Sequence, residues 1–125
     1  MANAPNLARM DLSHVNLAMA NLAGADLHAA ILRNATLTET NLAGADLTEA
    51  DLSRANLAGA SLREATVAHA NLEGADLRDV DLEGANLRGA RLVGAKLGET
   101  QRAIAELAGA ELEDRSTQED AAGQG

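Results

Sequence analysis

The side chains that could do chemistry are few: His14, His28 and His69, the hydroxyls Ser13 and Ser53 with Arg33 between them, and the carboxylate pairs Asp76 with Asp79 and Glu49 with Asp51. A metal needs imidazoles and carboxylates brought to one point, and no two histidines stand at the i, i+4 spacing that would place them together on a helix. Hydrolysis needs a nucleophile, a base and an orienting acid that converge, and general acid work needs a cleft that shifts a carboxyl pKa. The chain has no cysteine, so thiolate nucleophiles, thiolate metal sites and disulfides are excluded. Its glycines recur at multiples of five and form no phosphate-cradling loop. The reading is of a protein that is not an enzyme, with no catalytic residue, cofactor or metal.

The elements that hold these groups follow from one regularity. Leucine occupies every fifth residue from Leu7 to Leu97, with Val67 the one substitution. On a helix, five residues turn by about 500°, so successive leucines would be rotated by roughly 140° and could form no apolar stripe. Alanine stands two residues before most of them, and a spacing of two sends both side chains to one side of an extended segment. Three residues remain to turn a corner, and glycine often takes the second of them, as at Gly24, Gly44 and Gly84. Extended step and corner, repeated, make a coil whose core ladder includes Leu27, Leu32, Leu47, Leu52, Leu57, Leu72 and Leu77.

Runs such as Ala25-Asp26-Leu27, Ala45-Asp46-Leu47, Ala55-Asn56-Leu57-Ala58-Gly59 and Ala85-Asn86-Leu87 resemble the pentapeptide repeat family. The resemblance implies an all-β solenoid, a right-handed quadrilateral β-helix with four units per coil. About nineteen units then make just under five coils, a rod roughly 23 Å long at about 4.8 Å per strand spacing. Residues twenty apart stack in columns: Asn21, Asn41, Ser61 and Asp81 in one, and Asn16, Thr36, Asn56, Asp76 and Lys96 in another. Arg63 and Glu83 fall together in a column and are expected to pair. The histidines lie in different columns, and Ser13 and Ser53 are two coils apart.

Net charge is −9, divided as −4 over residues 1–97 and −5 over residues 98–125. An acidic balance argues against direct nucleic-acid binding, which rests on lysine and arginine meeting phosphates. No apolar stretch long enough for a membrane span is present. The segment Met1-Ala2-Asn3-Ala4-Pro5 lacks the basic start and apolar run of a secretory signal, so a cytoplasmic location is expected.

An open coil exposes apolar groups and unpaired edges at both ends. Pro5, Met10 and Val15 replace alanine in the first coil and are expected to plug it. At the other end Ala105-Glu106-Leu107 and Ala110-Glu111-Leu112 keep the phase of two further repeats, but Arg102 would then sit at a leucine position, and burying an unpaired guanidinium costs several kcal/mol. The expectation is a β-helix over 1–98, a capping or dimerisation helix over 99–115, and a disordered tail over 116–125. Thr100 is placed as the helix cap, with Ile104, Leu107, Ala108 and Leu112 along one side. Ile104, Leu107 and Leu112 are candidate contacts of a C-terminal homodimer, the alternative being a monomer.

A rigid rod without a cleft suits a noncatalytic structural or protein-interaction module whose partner is another protein. The flat, uncharged wall of Asn21, Ala23, Asn41 and Ala43 is the candidate docking face. The resemblance also implies a second reading, a DNA-mimicking modulator of gyrase that gives fluoroquinolone resistance. Exterior charges through Glu99 sum to about −2, −2, 0 and −1 on the four sides, unlike duplex DNA with its charge every 1.7 Å or so.

Overall fold

The computed structural model describes residues 4–112. Its architecture is a four-sided coil with a period of twenty residues, each side joined to the next coil by a parallel bridge. The bridges run in four columns: Asn6–Asp26–Asp46–Thr66–Asn86, Asp11–Ile31–Asp51–Asn71–Arg91–Glu111, Asn16–Thr36–Asn56–Asp76–Lys96, and Asn21–Asn41–Ser61–Asp81. Five residues per side leave room for one bridge and a corner, so the sides are isolated parallel bridges and not continuous strands.

One quintet shows how the sequence makes this step. Leu27 N–H donates to Asp46 O at 2.8 Å, Asp46 N–H to Ala25 O at 2.9 Å, and Ala29 N–H to Thr48 O at 2.9 Å. The corner closes through Ala30 N–H to Leu27 O at 3.0 Å. Its second central residue has positive φ, 56° at Ala29, and the first does not, which is the pattern of a type II turn. Glycine is the residue of choice there, yet eleven non-glycine residues hold the same left-handed conformation. The bonds to neighbouring coils fix each corner from above and below and so absorb the local strain. At Gly89 there is also no room: a Cβ would stand 2.5 Å from the His69 ring in the coil below.

Inside the coil, Leu27, Leu32, Leu47, Leu52, Leu57, Leu72 and Leu77 are at most 1% exposed. The alanines two residues earlier are buried with them. Thr40 stands at one of these small inward positions, fully buried, and its hydroxyl donates to Leu17 O at 2.8 Å across to the preceding coil. A buried hydroxyl is tolerated because it finds an acceptor.

The two ends differ. Of the three residues expected to plug the N-terminal end, Pro5 and Met10 are exposed and only Val15 packs, half-buried, against the core with Leu7, Leu12 and Leu17. At the C-terminal end the chain leaves the coil after Leu97 and forms α1, Glu99–Leu107. Ala105 is fully buried, and Ile104 and Ala108 pack against the core.

Helix α1 is shorter than the 99–115 span expected from sequence. Gly109, at φ +92°, ends it, and Ala110 N–H closes on Ala105 O at 3.0 Å. The coil then resumes: Gly89 N–H donates to Gly109 O, Glu111 N–H to Ala90 O and Leu92 N–H to Glu111 O, at 3.0, 2.7 and 2.7 Å. The end is thus neither a helix through residue 114 nor two more repeats. The helix replaces two sides, and a third side follows in register. Leu112 therefore lies on the coil, not on the helix, and packs with Ile104 against the chain's own core, while Leu107 is 90% exposed. The single stripe of Ile104, Leu107 and Leu112 expected as a dimer contact does not exist. Thr100 is not the cap either: Gly98 holds that position, and Gln101 Oε1 accepts its N–H at 2.7 Å. The tail expected over 116–125 lies outside the described residues.

Candidate functional site

The exterior residue before each leucine is usually Asn or Asp, and its position explains the choice. Asn21 Oδ1 accepts the N–H of Ala23 at 3.2 Å, Asn41 that of Ala43 at 3.0 Å, Asp46 that of Thr48 at 3.0 Å and Asp76 that of Arg78 at 3.1 Å. Each is a side-chain turn that ties the bridge residue to the corner after it. The columns of polar residues are first of all corner fasteners. This local bond was a missed signal in the sequence, readable as Asn or Asp two residues before the corner's first amide.

The bonds also lower aspartate pKa values. The Arg78 side chain, foremost, and its backbone N–H hold Asp76 below the ordinary aspartate range. The backbone N–H of Glu83, with Arg63, does so for Asp81. At Asp51 burial pushes the pKa up, but the bonds from Arg33 and Ser53 together outweigh it.

Among the groups singled out for chemistry, Asp51, Asp76, Ser13, Ser53 and Arg33 are held in structural roles. Asp76 pairs with Arg78 at 2.6 Å and Asp51 pairs with Arg33, so neither forms a working pair with Asp79 or Glu49. Ser13 and Ser53 donate to Asp11 and Asp51 on their own coils, at 2.6 and 2.7 Å. Arg63 meets Glu83 at 2.6 Å, as its column suggested, and also Asp81 at 3.1 Å. One grouping was not expected: His28 Nδ1 lies 2.7 Å from Asp26 Oδ1, and Asp46 stands on the next coil, with ligand-type atoms of all three within 4.8 Å of one another. Oxygens of both aspartates already accept corner N–H groups, so the cluster is the turn fastening with an imidazole added.

Two surfaces remain. Asn21, Ala23 and Asn41 are exposed and Ala43 half-buried, on consecutive coils of one side, and this wall carries no charge. Further along the same side, where α1 departs, a groove of about 800 Å³ is bounded by Asp79, Asp81, Glu83 and Glu99 over Val80, Leu82 and Ile104. No helix among the described residues is long and apolar enough to cross a membrane.

A search of curated protein sequences found no match. Among solved structures, a pentapeptide repeat protein from the cyanobacterium Cyanothece 51142 is 41% identical with a TM-score of 0.70, over 82% of this chain and 64% of its own length. The chain therefore spans under two thirds of that relative. A pentapeptide repeat protein from Nostoc Pcc 7120 is 34% identical with a TM-score of 0.57, over 88% of this chain and 86% of its own. QnrB1, a plasmid-mediated fluoroquinolone resistance protein, shares the fold at 16% identity and a TM-score of 0.56, over 88% of this chain and 69% of its own. The sequence profile of pentapeptide repeats matches residues 6–28, 30–67 and 68–100 in eight copies. A twenty-residue square period, leucine and alanine inside, Asn or Asp fastening each corner, and this profile match meet in one conclusion: the chain belongs to the pentapeptide repeat family, whose members are right-handed quadrilateral β-helices.

Proposed function

We propose that this protein is a noncatalytic interaction module, a nineteen-quintet rod closed at its C-terminal end by α1, that presents a rigid wall to another protein. The observation that carries the reading is that the wall of Asn21, Ala23, Asn41 and Ala43 is small-sided and uncharged, with its two Asn side chains tied down to the corners after them. Small side chains there let a partner backbone approach closely. The module acts in the cytoplasm as a monomer or as a pair joined at Leu107, the exposed apolar residue of α1. Introducing aspartate at both Ala23 and Ala43 should leave the unfolding midpoint unchanged and weaken capture of the partner from native lysate by about tenfold, the scale on which buried interface charge acts. Equal capture by both forms would reject the wall.

Duplex mimicry is the lesser reading. Arg33, Arg63, Arg78 and Arg91 each pair with an exterior carboxylate, which breaks up the continuous negative rail that mimicry of DNA requires. Dose-dependent inhibition or drug protection of gyrase supercoiling at micromolar protein would instead favour it.

A further inference from the structure

Where α1 leaves the coil the hydrogen-bond ladder loses its acceptors among the described residues, at the N–H groups of Asp79, Leu82, Gly84 and Leu87, and the first three of these residues line one groove. In the coil below, Leu62 N–H donates to Asp81 O at 2.8 Å and Glu64 N–H to Glu83 O at 2.9 Å. The equivalent donors one coil later are Leu82 N–H and Gly84 N–H, and α1 has replaced the side that would accept them. Among the described residues neither finds a backbone or side-chain acceptor. Only the acceptor of this edge is satisfied: Val80 O takes a bond from Gln101 Nε2 at 3.1 Å, in the place where the backbone N–H of a continuing coil would donate. Leu82 and Gly84 both line the groove, so among the described residues their N–H groups stand there as backbone donors without a partner.

The surroundings of this edge say what would fill it. Val80, Leu82 and Ile104 form an apolar floor, Asp79, Asp81, Glu83 and Glu99 form the rim, and no lysine or arginine lines the groove. Arg63, from the coil below, engages Asp81 and Glu83, which leaves Asp79 and Glu99 without an ion-pair partner among the described residues. We infer that this edge takes an extended, basic peptide segment of a partner protein, added as a parallel step beyond Asp81. Carbonyls of the segment accept from Leu82 and Gly84, alternate side chains rest on the floor, and lysines or arginines meet Asp79 and Glu99. The chain's own residues 113–125 are a poor occupant by charge, with four acidic residues and one basic. The inference rests on the interaction-module reading and names the kind of partner.

The test uses the full-length protein and a blocked octapeptide of alternating lysine and valine, with a glutamate–valine octapeptide as control. Saturable binding is expected, with exchange of the Leu82 and Gly84 amides slowed by about tenfold or more and the open N-terminal edge unaffected. Asp79→Asn and Glu99→Gln, both at exposed positions, should together weaken the lysine peptide by about fivefold and flatten its salt dependence. Binding without protection of those two amides, equal binding of the glutamate peptide, no binding at millimolar peptide, or amides already protected in the free chain would each overturn the inference. These outcomes leave the Ala23 and Ala43 wall untouched, so the two readings fail separately.

Discussion

At the scale of the residue, the informative atom is the carboxylate or amide oxygen that precedes each leucine. Asp76 does two things with it: Oδ1 accepts the Arg78 N–H and Nε–H, at 3.1 and 2.9 Å, and Oδ2 accepts from the Arg78 Nη2 at 2.6 Å. Asparagine in its place keeps the corner bond and loses the charge, so Asp76→Asn isolates the ion pair. Because Arg78 holds the folded Asp76 below the ordinary aspartate pKa, the folded state binds fewer protons there than the unfolded state. The pair's contribution is complete above the unfolded value of about 4 and is lost as pH falls through the folded value. Urea unfolding should therefore separate the parent from Asp76→Asn by at most about 1 kcal/mol at pH 7 and by much less near pH 2. No gap at either pH would mean that the side chain acts through the corner bond alone.

At the scale of the element, α1 shows where sequence reading succeeds and where it stops. The quintet of leucines makes the coil legible because every unit reports the same inward pair. Arg102 rightly signals that the coil cannot simply continue, and Arg102 is exposed on the helix. The helix boundary was not legible, since Ile104, Leu107, Ala108 and Leu112 satisfy a helical stripe on paper. What decides against that stripe is tertiary: the ladder donors of Gly89 and Leu92 take Gly109 and Glu111 as acceptors, and positive φ at Gly109 lets the chain turn back. The groove at Leu82 was hidden for the same reason, because it exists only where the helix departs from the coil. The buried position is Ala105, which sequence reading passed over as one more alanine. Ala105→Asp should cost several kcal/mol in thermal unfolding by burying an unpaired charge, whereas Leu107→Asp, at a residue 90% exposed, should stay within about 0.5 kcal/mol. Comparable losses would place the helix with its other face inward.

At the scale of the whole molecule, stability is a nearest-neighbour property, since each coil touches only the one before and the one after. Leu52 is fully buried with a coil on either side, and Leu112 is half-buried on the last described step. An arginine at position 52 can reach water only by prising neighbouring coils apart, and the coils on either side are too few to fold as separate stacks. Leu52→Arg should abolish cooperative unfolding. Leu112→Arg can turn its guanidinium outward and forfeits only a fraction of one leucine's burial, about 1 kcal/mol. It should keep a single transition of nearly unchanged steepness, because the ladder it ends still has Glu111 bonded to Ala90 and Leu92. Circular dichroism and urea unfolding of the two variants side by side distinguish a shared stack from a set of local units. If Leu112→Arg were as damaging as Leu52→Arg, the final step would belong to the cooperative core and not to its edge, and the end of the coil would owe its stability to Leu112 more than to α1.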